Sequence, residues 1–529
     1  MKPRNLLFAF LAAMTVLRLI YIAHVELAAD EAYYYMWAQR LDWSYYSKGP
    51  GVALAIRLGT EIFGANEFGV RCLSPLLGLG TSLVMFFFAR RLYNESVAVW
   101  TVLTMNAIPI FNVGNLVMTI DPLSIFFWAA ALFTFWLALE KSPKFSLYWP
   151  LTGLLIGFGF LAKYTNAMQL LSVVLVLGIT RRHRGEFLRA GFYSMLAAFA
   201  ICMLPVLIWN HDHAWITLTH LRSRGNLDSS FADSLLGFIK EPLSFIATQF
   251  GVYSPLIFAG LLIALWWACT DTVVKFKSRF LALFAIPLLV MYGLLAFKKA
   301  GQPNWTAPAF VSLGVLASAL WHEAVQRQPA KQKFVVWALA IGMVMSLGTL
   351  CTDMIRGAGI PVPYKWDPSS RLRGWKTMAL SVDDFRKKFE KETGKPAFLI
   401  GNKYQTAASL SFYLPEKRVE GPKHPAVYIP ESQDIESEFA FWPRYDEFVD
   451  RPKDAKPVED YYTEEQGVNL FTGRNALYIT DAIDDLPPTS IERGFERVEM
   501  VTLLDIRRHG MPLRQVRIFA CYNYRTISL

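Results

Sequence analysis

Charged residues are scarce in this chain. Asp, Glu, Lys and Arg together make up 18% of its 529 residues, whereas hydrophobic residues make up 53% and aromatic residues 15%. A typical soluble protein carries more charge, so the composition indicates an integral membrane protein.

Cysteine is also rare, with five residues in the chain. Most lie in apolar segments, Cys521 alone falls in the C-terminal part, and no CxxC pair has the spacing of a metal site. This pattern excludes a disulfide framework, so the C-terminal part must be held together by its own core. Repeats of about 20–50 residues and low-complexity tracts are absent as well.

Long hydrophobic runs, by contrast, fill the first two-thirds of the chain. A helix needs about 20 mostly apolar residues to cross a bilayer. The pattern predicts about eleven membrane-spanning helices, at 5–24, 67–89, 96–113, 121–139, 148–162, 166–180, 187–209, 244–268, 280–297, 306–322 and 334–354. We interpret the first run as an uncleaved span, with Arg18 near its end reaching to the outer interface.

The charges of the loops predict the orientation. If the N-terminus is cytoplasmic, the inner loops carry basic clusters such as Arg90–Arg91 and Arg181–Arg182, whereas the loop 114–120 carries none. This distribution follows the positive-inside rule and places everything after about residue 356 outside the cytoplasm. The net charge of +10 then reflects topology and gives no reason to expect nucleic acid as a partner.

The composition changes towards the C-terminus. We predict a helical membrane domain over 1–355, a linker over 356–372 and a soluble α/β domain over 373–529. In that domain, SVDDFRKKFEKETG predicts a helix capped by Ser381 and ended by Gly394, and YQTAASLSFYL predicts another. PAFLIGN, AVYIP and ALYITD predict buried strands, and 495–523 predicts two antiparallel strands around HGMP. Because the domain lacks GxGxxG, P-loop and HExxH motifs, we expect a lid or an acceptor platform.

Two acidic motifs lie at the outer ends of predicted spans. Asp30 and Glu31 follow the first span in AADEAYYYMWAQRLDWSYYSKGP, and Asp121 opens the fourth in MTIDPLSIFF. Carboxylates at the edge of a bilayer are expensive, so we predict that Asp30, Asp121 and Glu31 are catalytic. Ordinary helix capping explains Asp121 equally well.

Aromatic residues follow the first acidic motif. A helix from Ala29 would place Asp30, Tyr33 or Tyr34, and Trp37 on one face. We expect Tyr33, Tyr34 and Trp37 to stack on a sugar or a lipid chain. Their alternative role is the aromatic belt of a membrane interface.

Basic residues are predicted on the same outer side. Lys48 lies in SKGP, Lys163 in FLAKYTN, Arg222 in THLRSRGN, and Lys298 and Lys299 open KKAGQPNW. Contact with lipid headgroups suffices to explain the last two. Acids and fixed cations at a lipid–water boundary indicate chemistry on a phosphate-containing lipid, with Lys48, Lys163 and Arg222 as the phosphate-binding candidates.

A metal site is a weaker hypothesis. His211 and His213 flank Asp212 in WNHDHAW, and imidazole and carboxylate suit a divalent metal. Residues two apart diverge on a helix, so we favour a polar loop that contacts a phosphate or a sugar. We expect that no cofactor is required.

The motifs DEAYYYMW…YYSKGP, GNLVMTIDPL, FLAKYT, WNHDHAW and QPNWTAP occur in the order seen in bacterial GT-C glycosyltransferases. The chain resembles the family-39-like members, which are related to lipid A aminoarabinose transferase and protein O-mannosyltransferases. The resemblance implies a GT-C fold in the bacterial inner membrane with an extracytoplasmic C-terminal domain. It also implies inverting transfer of a sugar from an undecaprenyl- or other polyprenyl-phosphate donor to lipid A, an envelope glycan or a protein.

The same resemblance places Asp30 near the reacting sugar, Lys48 at the donor phosphate and Asp121 at the second acidic motif. The chain departs from the aminoarabinose enzymes at Tyr33, where they carry Arg, and at SKGP, where many relatives have two prolines. Both departures bear on the identity of the donor sugar.

The predicted reaction needs a base for the acceptor hydroxyl and cations for the departing phosphate. Asp30 is the candidate base, and Asp121 would orient Lys or Tyr side chains or replace Asp30 as base. A multi-span lipid or lipid-linked sugar flippase is the alternative function. Transporters tend to carry polar residues near the midplane and paired repeats, which this sequence does not show, so we favour the enzyme.

Overall fold

The structure is a computed structural model. It describes residues 3–227, 235–270, 275–298, 301–350, 352–360, 362–448, 468–482 and 486–527. The chain divides into two compact units, of which unit 1 comprises Met1–His24 and Leu41–Cys351 and unit 2 comprises Val25–Arg40 and Thr352–Leu529. The segment that carries Asp30 and Glu31 therefore groups with the C-terminal part of the chain.

Helices account for most of the described residues. In chain order they are α1 (Pro3–Ile22), α2 (Ala29–Ala38), α3 (Gly51–Phe63), α4 (Glu67–Arg71), α5 (Leu73–Leu92), α6 (Glu95–Ala107), α7 (Pro109–Gly114), α8 (Ile120–Lys141), α9 (Tyr148–Ala162), α10 (Met168–Ile179), α11 (Ala190–Asp212), α12 (Ile216–Arg224), α13 (Leu235–Tyr253), α14 (Pro255–Thr270), α15 (Phe276–Ala296), α16 (Ala307–Arg327), α17 (Lys331–Leu350), α18 (Thr352–Gly357), α19 (Trp375–Thr393), α20 (Tyr404–Tyr413) and α21 (Thr489–Gly494). Short 3-10 turns lie at Tyr164–Ala167, Arg181–Leu188, Pro303–Thr306, Tyr364–Trp366, Pro368–Leu372 and Glu438–Phe441.

Unit 1 is a polytopic membrane bundle. In the described part of the chain, six helical segments are long and apolar enough to cross a membrane: Pro3–Ile22, Glu67–Leu92, Ile120–Lys141, Ala190–Asp212, Phe276–Ala296 and Pro303–Arg327. The bent pair Phe238–Tyr253 and Pro255–Thr270 makes seven if it is one span. The chain is thus a multi-pass membrane protein as expected, whereas the count of eleven spans stays a prediction.

Two predicted spans are not continuous helices. The span at 96–113 is interrupted at Ile108, where α6 ends and Pro109 starts α7. The span at 244–268 bends by 114° between α13 and α14. Ser254, at this bend, has a φ of 69°, which an α-helix cannot contain. Hydropathy reports length and apolarity but not such breaks, so it does not predict these two interruptions.

Arg18 is buried inside the helical bundle and is not an exposed side chain that reaches outwards, contrary to the sequence prediction. Its side chain is buried between α1, α6 and α7, where one terminal nitrogen donates to Asn112 Oδ1 and, at 3.1 Å, to Asn106 Oδ1. Asn106 also donates to the hydroxyl of Ser82 on α5. A buried arginine requires acceptors, and these amides supply them within the bundle.

Unit 2 contains a four-stranded sheet with strand order β1-β2-β4-β3. The strands are β1 (Ala397–Gly401), β2 (Asn475–Thr480), β3 (Phe495–Arg508) and β4 (Met511–Tyr524). β1 pairs with β2 in parallel, and the other two pairings are antiparallel. Aromatic side chains including Phe398, Tyr445, Phe471 and Tyr524 form its core. Cys521 is a free, buried thiol, so this core is closed without the help of a disulfide at that residue.

Most of the predicted elements of this unit are confirmed. The strands at 397–401, 475–480 and 495–524 and the helix α20 lie where the sequence predicts them. Gly394 ends α19 with a φ of 66°, a conformation that favours glycine. Ser381 is not the N-cap of α19, because the helix already starts at Trp375. AVYIP forms only an isolated bridge between Tyr428 and Ile400.

The predicted linker contains buried ion pairs. Arg356 and Asp367 have fully buried side chains, and their charged atoms are 2.7 Å apart. Asp353 accepts from Arg356 at 3.2 Å and pairs with Arg373 at 2.8 Å. These contacts give the segment a defined conformation in spite of its Pro- and Gly-rich sequence. The domain boundaries proposed from the sequence stay predictions.

Candidate active site

Asp121 lies in the first turn of α8, where a cap and a functional carboxylate are equally plausible from the sequence. The structure separates the two roles, since the N-cap is Thr119, whose hydroxyl accepts the N–H of Asp121 at 3.3 Å. The carboxylate of Asp121 instead contacts Lys163 Nζ at 2.8 Å through Oδ1 and Asn304 Nδ2 at 2.7 Å through Oδ2. Both of its oxygens therefore fix side chains from other parts of the chain.

Lys163 lies at the turn between α9 and the 3-10 turn Tyr164–Ala167. Its side chain is 7% exposed and that of Asp121 is 14% exposed, so the pair is largely removed from solvent. A buried ammonium without a partner would be costly, and Asp121 supplies an anion for it. The ammonium has three donors, of which this contact uses one.

Asn304 belongs to the 3-10 turn Pro303–Thr306 that precedes α16. The hydroxyl of Thr306 donates to Gln249 Oε1 at 2.8 Å and lies 3.1 Å from the hydroxyl of Tyr253. The neighbouring Trp305 packs against Tyr292 with ring centroids 5.4 Å apart. Side chains of α13 and α15 thus hold the turn that presents Asn304 to Asp121.

The loop that carries Lys48 is folded against α9 and the turn after it. The carbonyl of Lys48 accepts the N–H of Tyr45 at 3.0 Å. The hydroxyl of Ser44 lies 3.2 Å from that of Tyr164, the residue next to Lys163. A Cβ at Gly49 would lie 2.4 Å from the carbonyl oxygen of Leu161 on α9. The glycine in SKGP therefore permits a close approach of this loop to α9.

Two further contacts attach the same loop to α11 and α12. Trp209 Nε1 donates to Asp42 Oδ2 at 3.0 Å. The ring of Tyr46 packs against His220, with centroids 4.6 Å apart. The Lys48 loop is thereby fixed to several elements of unit 1.

The pKa of His220 reflects the charges around this loop. Burial, together with the nearby cations Lys48 and Arg224, lowers the pKa of His220 to about 4. The imidazole is therefore neutral at neutral pH, so the cationic charge here belongs to Lys48 and Arg224. Arg224 also lies over the ring of Trp305, at 5.7 Å, next to Asn304.

Arg222, the predicted phosphate ligand of this segment, is exposed on α12. His220 and Arg224 are four residues apart and share a face of the helix, whereas Arg222 lies two residues from each and projects from a different side. Its role in binding phosphate stays a prediction. Lys298 donates to the carbonyl of Leu227 at 3.0 Å, and Lys299 lies outside the described residues.

The histidines proposed as weak metal ligands have other contacts. His211 Nδ1 lies 3.0 Å from Asp212 Oδ1. His213 stacks on Trp209, with centroids 3.9 Å apart, and its Nδ1 contacts the carbonyl of Trp209 at 2.7 Å. Over the described ranges of the chain, no group of three His, Cys, Asp or Glu side chains could hold a metal ion.

The first acidic motif is the start of α2, in unit 2. Asp30 is exposed in the first turn, whereas Glu31 is buried and its Oε2 accepts the N–H of Ala28 at 2.8 Å. Glu31 thus closes the helix N-terminus, a structural role that needs no chemistry. Its predicted catalytic role stays a prediction.

The aromatic residues of α2 are buried in unit 2. The hydroxyl of Tyr33 accepts the N–H of Glu438 at 2.6 Å, and Trp37 packs against both Tyr33 and Tyr34 at 5.0 and 4.9 Å. All three rings are at most 9% exposed. Their packing gives these rings an anchoring role, and their predicted stacking on a sugar or a lipid chain stays a prediction.

Sequence reasoning missed Asn304 and Arg224. Neither residue was among the candidate site residues predicted from the sequence. Asn304 and Asp121 are 183 residues apart, so no local pattern could pair them. An amide placed directly after proline at the mouth of a span is the signal that could have marked Asn304.

Residues 47–209 match the family model described as dolichyl-phosphate-mannose-protein mannosyltransferase. The lipid A galacturonosyltransferase RgtD of Rhizobium johnstonii is 29% identical over 322 residues, which are 60% of this chain and 65% of RgtD. The undecaprenyl phosphate-alpha-4-amino-4-deoxy-L-arabinose arabinosyl transferase of Pseudomonas aeruginosa is 29% identical over 163 residues, 30% of each chain. The match thus spans less than two-thirds of the length of these relatives.

The fold is similar to a solved structure over nearly all of the chain. ArnT from Cupriavidus metallidurans, in a crystal structure bound to undecaprenyl phosphate, superposes with a TM-score of 0.60 at 18% identity and covers 97% of this chain and 98% of ArnT. The chain thus shares the fold of ArnT, and over part of its length it is similar in sequence to RgtD, to the arabinosyl transferase and to the mannosyltransferase family model.

Proposed function

We propose that the protein transfers a sugar from a polyprenyl-phosphate-sugar to a hydroxyl of lipid A, with inversion, on the extracytoplasmic side of the bacterial inner membrane. The observation that carries the proposal is the buried contact of Asp121 with Lys163 and Asn304 in the membrane unit. It fixes an ammonium among apolar helices, where a phosphate of a lipid-linked donor can meet it. The relatives named for lipid A and undecaprenyl phosphate support this choice of donor and acceptor.

In the proposed reaction, the acceptor hydroxyl oxygen attacks the anomeric carbon from the face opposite the phosphate. Its proton passes to the carboxylate of Asp30, which acts as the general base. The bond between the anomeric carbon and the phosphate oxygen breaks, and both electrons stay on that oxygen. The products are the glycosylated lipid and a polyprenyl phosphate. No cofactor enters these steps.

Cations are needed to stabilise the departing phosphate. Lys163, oriented by Asp121, and Lys48 would stabilise the charge that develops on it, with Arg222 as a further predicted ligand. We add Arg224 as a candidate phosphate ligand, because Arg224 and Lys48 both lie near enough to His220 to lower its pKa. His220, which is neutral at neutral pH, adds no charge to that of these cations.

The test uses purified protein in lipid nanodiscs with lipid A and labelled donors that carry either galacturonic acid or aminoarabinose on polyprenyl phosphate. Asp30→Asn should lower turnover by about 100-fold or more, because general bases contribute factors of this size, while donor binding persists. The exposed carboxylate of Asp384 provides a matched control, and Asp384→Asn should behave as wild type.

Near-normal turnover in Asp30→Asn would remove this carboxylate from the role of base. Lys48→Ala should chiefly weaken donor binding, and an unchanged donor affinity would exclude Lys48 from the phosphate site. If the wild-type protein transfers neither sugar to lipid A, the proposed function itself is wrong.

A further inference from the structure

The segment Thr352–Leu529 has no role in the chemistry proposed so far, yet it groups in one unit with the helix on which Asp30 lies. Val25–Arg40 groups with Thr352–Leu529, although more than 300 residues separate the two segments in sequence. The contacts of this segment occur before, along and after α2.

The first contacts lie before the helix. Glu26 Oε2 accepts the N–H of Trp375 at 2.7 Å and that of Lys376 at 3.2 Å. These are the first amides of α19, which lack partners within their own helix. The N–H of Leu27 donates to the hydroxyl of Tyr413 on α20 at 2.6 Å. The carboxylate caps α19 from outside, so the chain entering α2 is bound to two helices of unit 2.

Contacts along the helix are aromatic. The ring of Tyr33 lies 4.5 Å from that of Tyr404 and is stacked parallel to Phe439, while its hydroxyl accepts the N–H of Glu438. Tyr35 meets Phe412 edge to face at 4.9 Å. Such ring pairs add to the apolar area that they bury.

The last contacts follow the helix. Arg40 Nε donates to the carbonyl of Lys423 and Nη2 to that of His424, both at 2.9 Å. Its guanidinium also lies over the ring of Trp442, at 4.6 Å. Hydrogen bonds from a charged donor are among the strong ones, and the planar guanidinium presents two of them at once.

We propose that the C-terminal unit is the positioning element for the catalytic base, and that it acts through Tyr33 and Arg40, which hold α2 at both its middle and its end. The inference rests on the proposed role of Asp30. Helix α2 has ten residues, a length at which an isolated helix is only marginally stable in water, so its order must come from packing. A displacement of about 1 Å of a catalytic group can lower a rate by about 100-fold.

This inference also accounts for Tyr33, where aminoarabinose enzymes carry Arg. The ring is 5% exposed, and its hydroxyl is bound to a main-chain amide. Tyr33 is therefore a positioning residue in this chain, and so is Arg40.

The test is hydrogen–deuterium exchange of the full-length protein in nanodiscs, read at the amides of 29–38, together with steady-state kinetics. The variants are Arg40→Gln and Tyr33→Phe. Matched controls in the same unit are Arg497→Gln, whose guanidinium lies over Tyr522 at the surface, and Tyr522→Phe, which loses a hydrogen bond to Glu499. Arg40→Lys tests rescue, because an ammonium can reach one carbonyl but not both with the same geometry.

We expect Arg40→Gln and Tyr33→Phe to accelerate exchange in 29–38 by about tenfold and to lower kcat by a similar factor, with donor KM changed less than twofold. Arg40→Lys should recover part of both effects, and the control variants should show neither. A purely structural role would lower the amount of active enzyme and leave the turnover of the folded fraction unchanged.

Three results would overturn the proposal. Unchanged exchange would show that these contacts do not order α2, and faster exchange with normal kcat would show that the order of α2 is irrelevant to turnover. A raised donor KM with unchanged exchange would return Tyr33 to sugar binding. Failure of the proposed function is distinguishable, since the wild-type protein would then transfer neither sugar while the exchange of α2 still responded to Arg40→Gln.

Discussion

At the scale of single residues, the most informative side chain is Asp121. A carboxylate in the first turn of a helix interacts favourably with the helix dipole, so the sequence alone offered a sufficient reason for its presence. The structure assigns the cap to Thr119 and directs both oxygens of Asp121 to other elements. Its charge is used to orient Lys163.

The contact between Asp121 and Asn304 can be tested by removing the amide of Asn304 or by replacing it with a carboxylate. Asn304→Ala should reduce the free energy of unfolding by roughly 1–3 kcal/mol, as for other hydrogen bonds to buried charged groups. Asn304→Asp should cost more and lower turnover further, because it places a second carboxylate against Asp121. Denaturation and turnover measured on the purified variants compare the two. Equal effects of the Ala and Asp variants would show that the amide does not contact the carboxylate.

The sequence predicted which charged residues belong to this site better than it predicted which side chains they contact. Asp121 and Lys163 stood out because charges are costly among apolar residues, and that argument is local. The contact with Asn304 depends on how helices 183 residues apart pack, which no local pattern encodes. The capping contact of Glu31 with the N–H of Ala28 was likewise not predicted from the sequence.

At the scale of helices and strands, the structure shows breaks in apolar helices that hydropathy does not predict. α13 and α14 meet at 114°, and α6 gives way to α7 at Pro109. Apolar length predicted where helices occur. Strand periodicity likewise predicted β1 to β4, but it overestimated AVYIP, which makes a single bridge.

The bend between α13 and α14 predicts a stabilising substitution. Ser254 is fully buried with a φ of 69°, and its hydroxyl has no hydrogen-bond partner among the described residues. Ser254→Gly should raise the free energy of unfolding by about 1 kcal/mol, because glycine adopts this conformation without steric strain. Ser318→Gly, inside the regular helix α16, should instead lower it by roughly 0.5–1 kcal/mol. Thermal unfolding of both variants in one detergent is the measurement, and a loss of stability in Ser254→Gly would contradict the prediction.

At the scale of the whole molecule, the chain has two units with separate cores. The sequence predicted a membrane part followed by a soluble part, and composition was sufficient for that. It could not predict that Val25–Arg40 groups with the later part, because the aromatic run after Asp30 is equally typical of a membrane interface.

A buried carboxyl group in unit 2 predicts that the stability of this unit depends on pH. Burial raises the pKa of Glu431 from its ordinary value of 4.5 to about 7; the hydroxyl of Tyr524 donates to this carboxyl. Between these pH values the folded unit binds a proton that the unfolded chain has released, so the free energy of unfolding decreases as the pH rises from about 4.5 to 7.

Protection of β4 amides in hydrogen exchange, measured at pH 5 and pH 8 and corrected for the intrinsic exchange rate, reports this change. Glu431→Gln should remove most of the difference, whereas Glu499→Gln, at an exposed carboxylate, should retain it. An identical pH dependence in wild type and Glu431→Gln would assign the effect to another group.

The burial of Arg18 has a consequence for biosynthesis. When α1 enters the bilayer, Asn106 and Asn112 have not yet been inserted, and an arginine without acceptors opposes insertion by up to about 3 kcal/mol. The acceptors that satisfy the buried guanidinium in the folded bundle are therefore residues that the ribosome adds about ninety positions later.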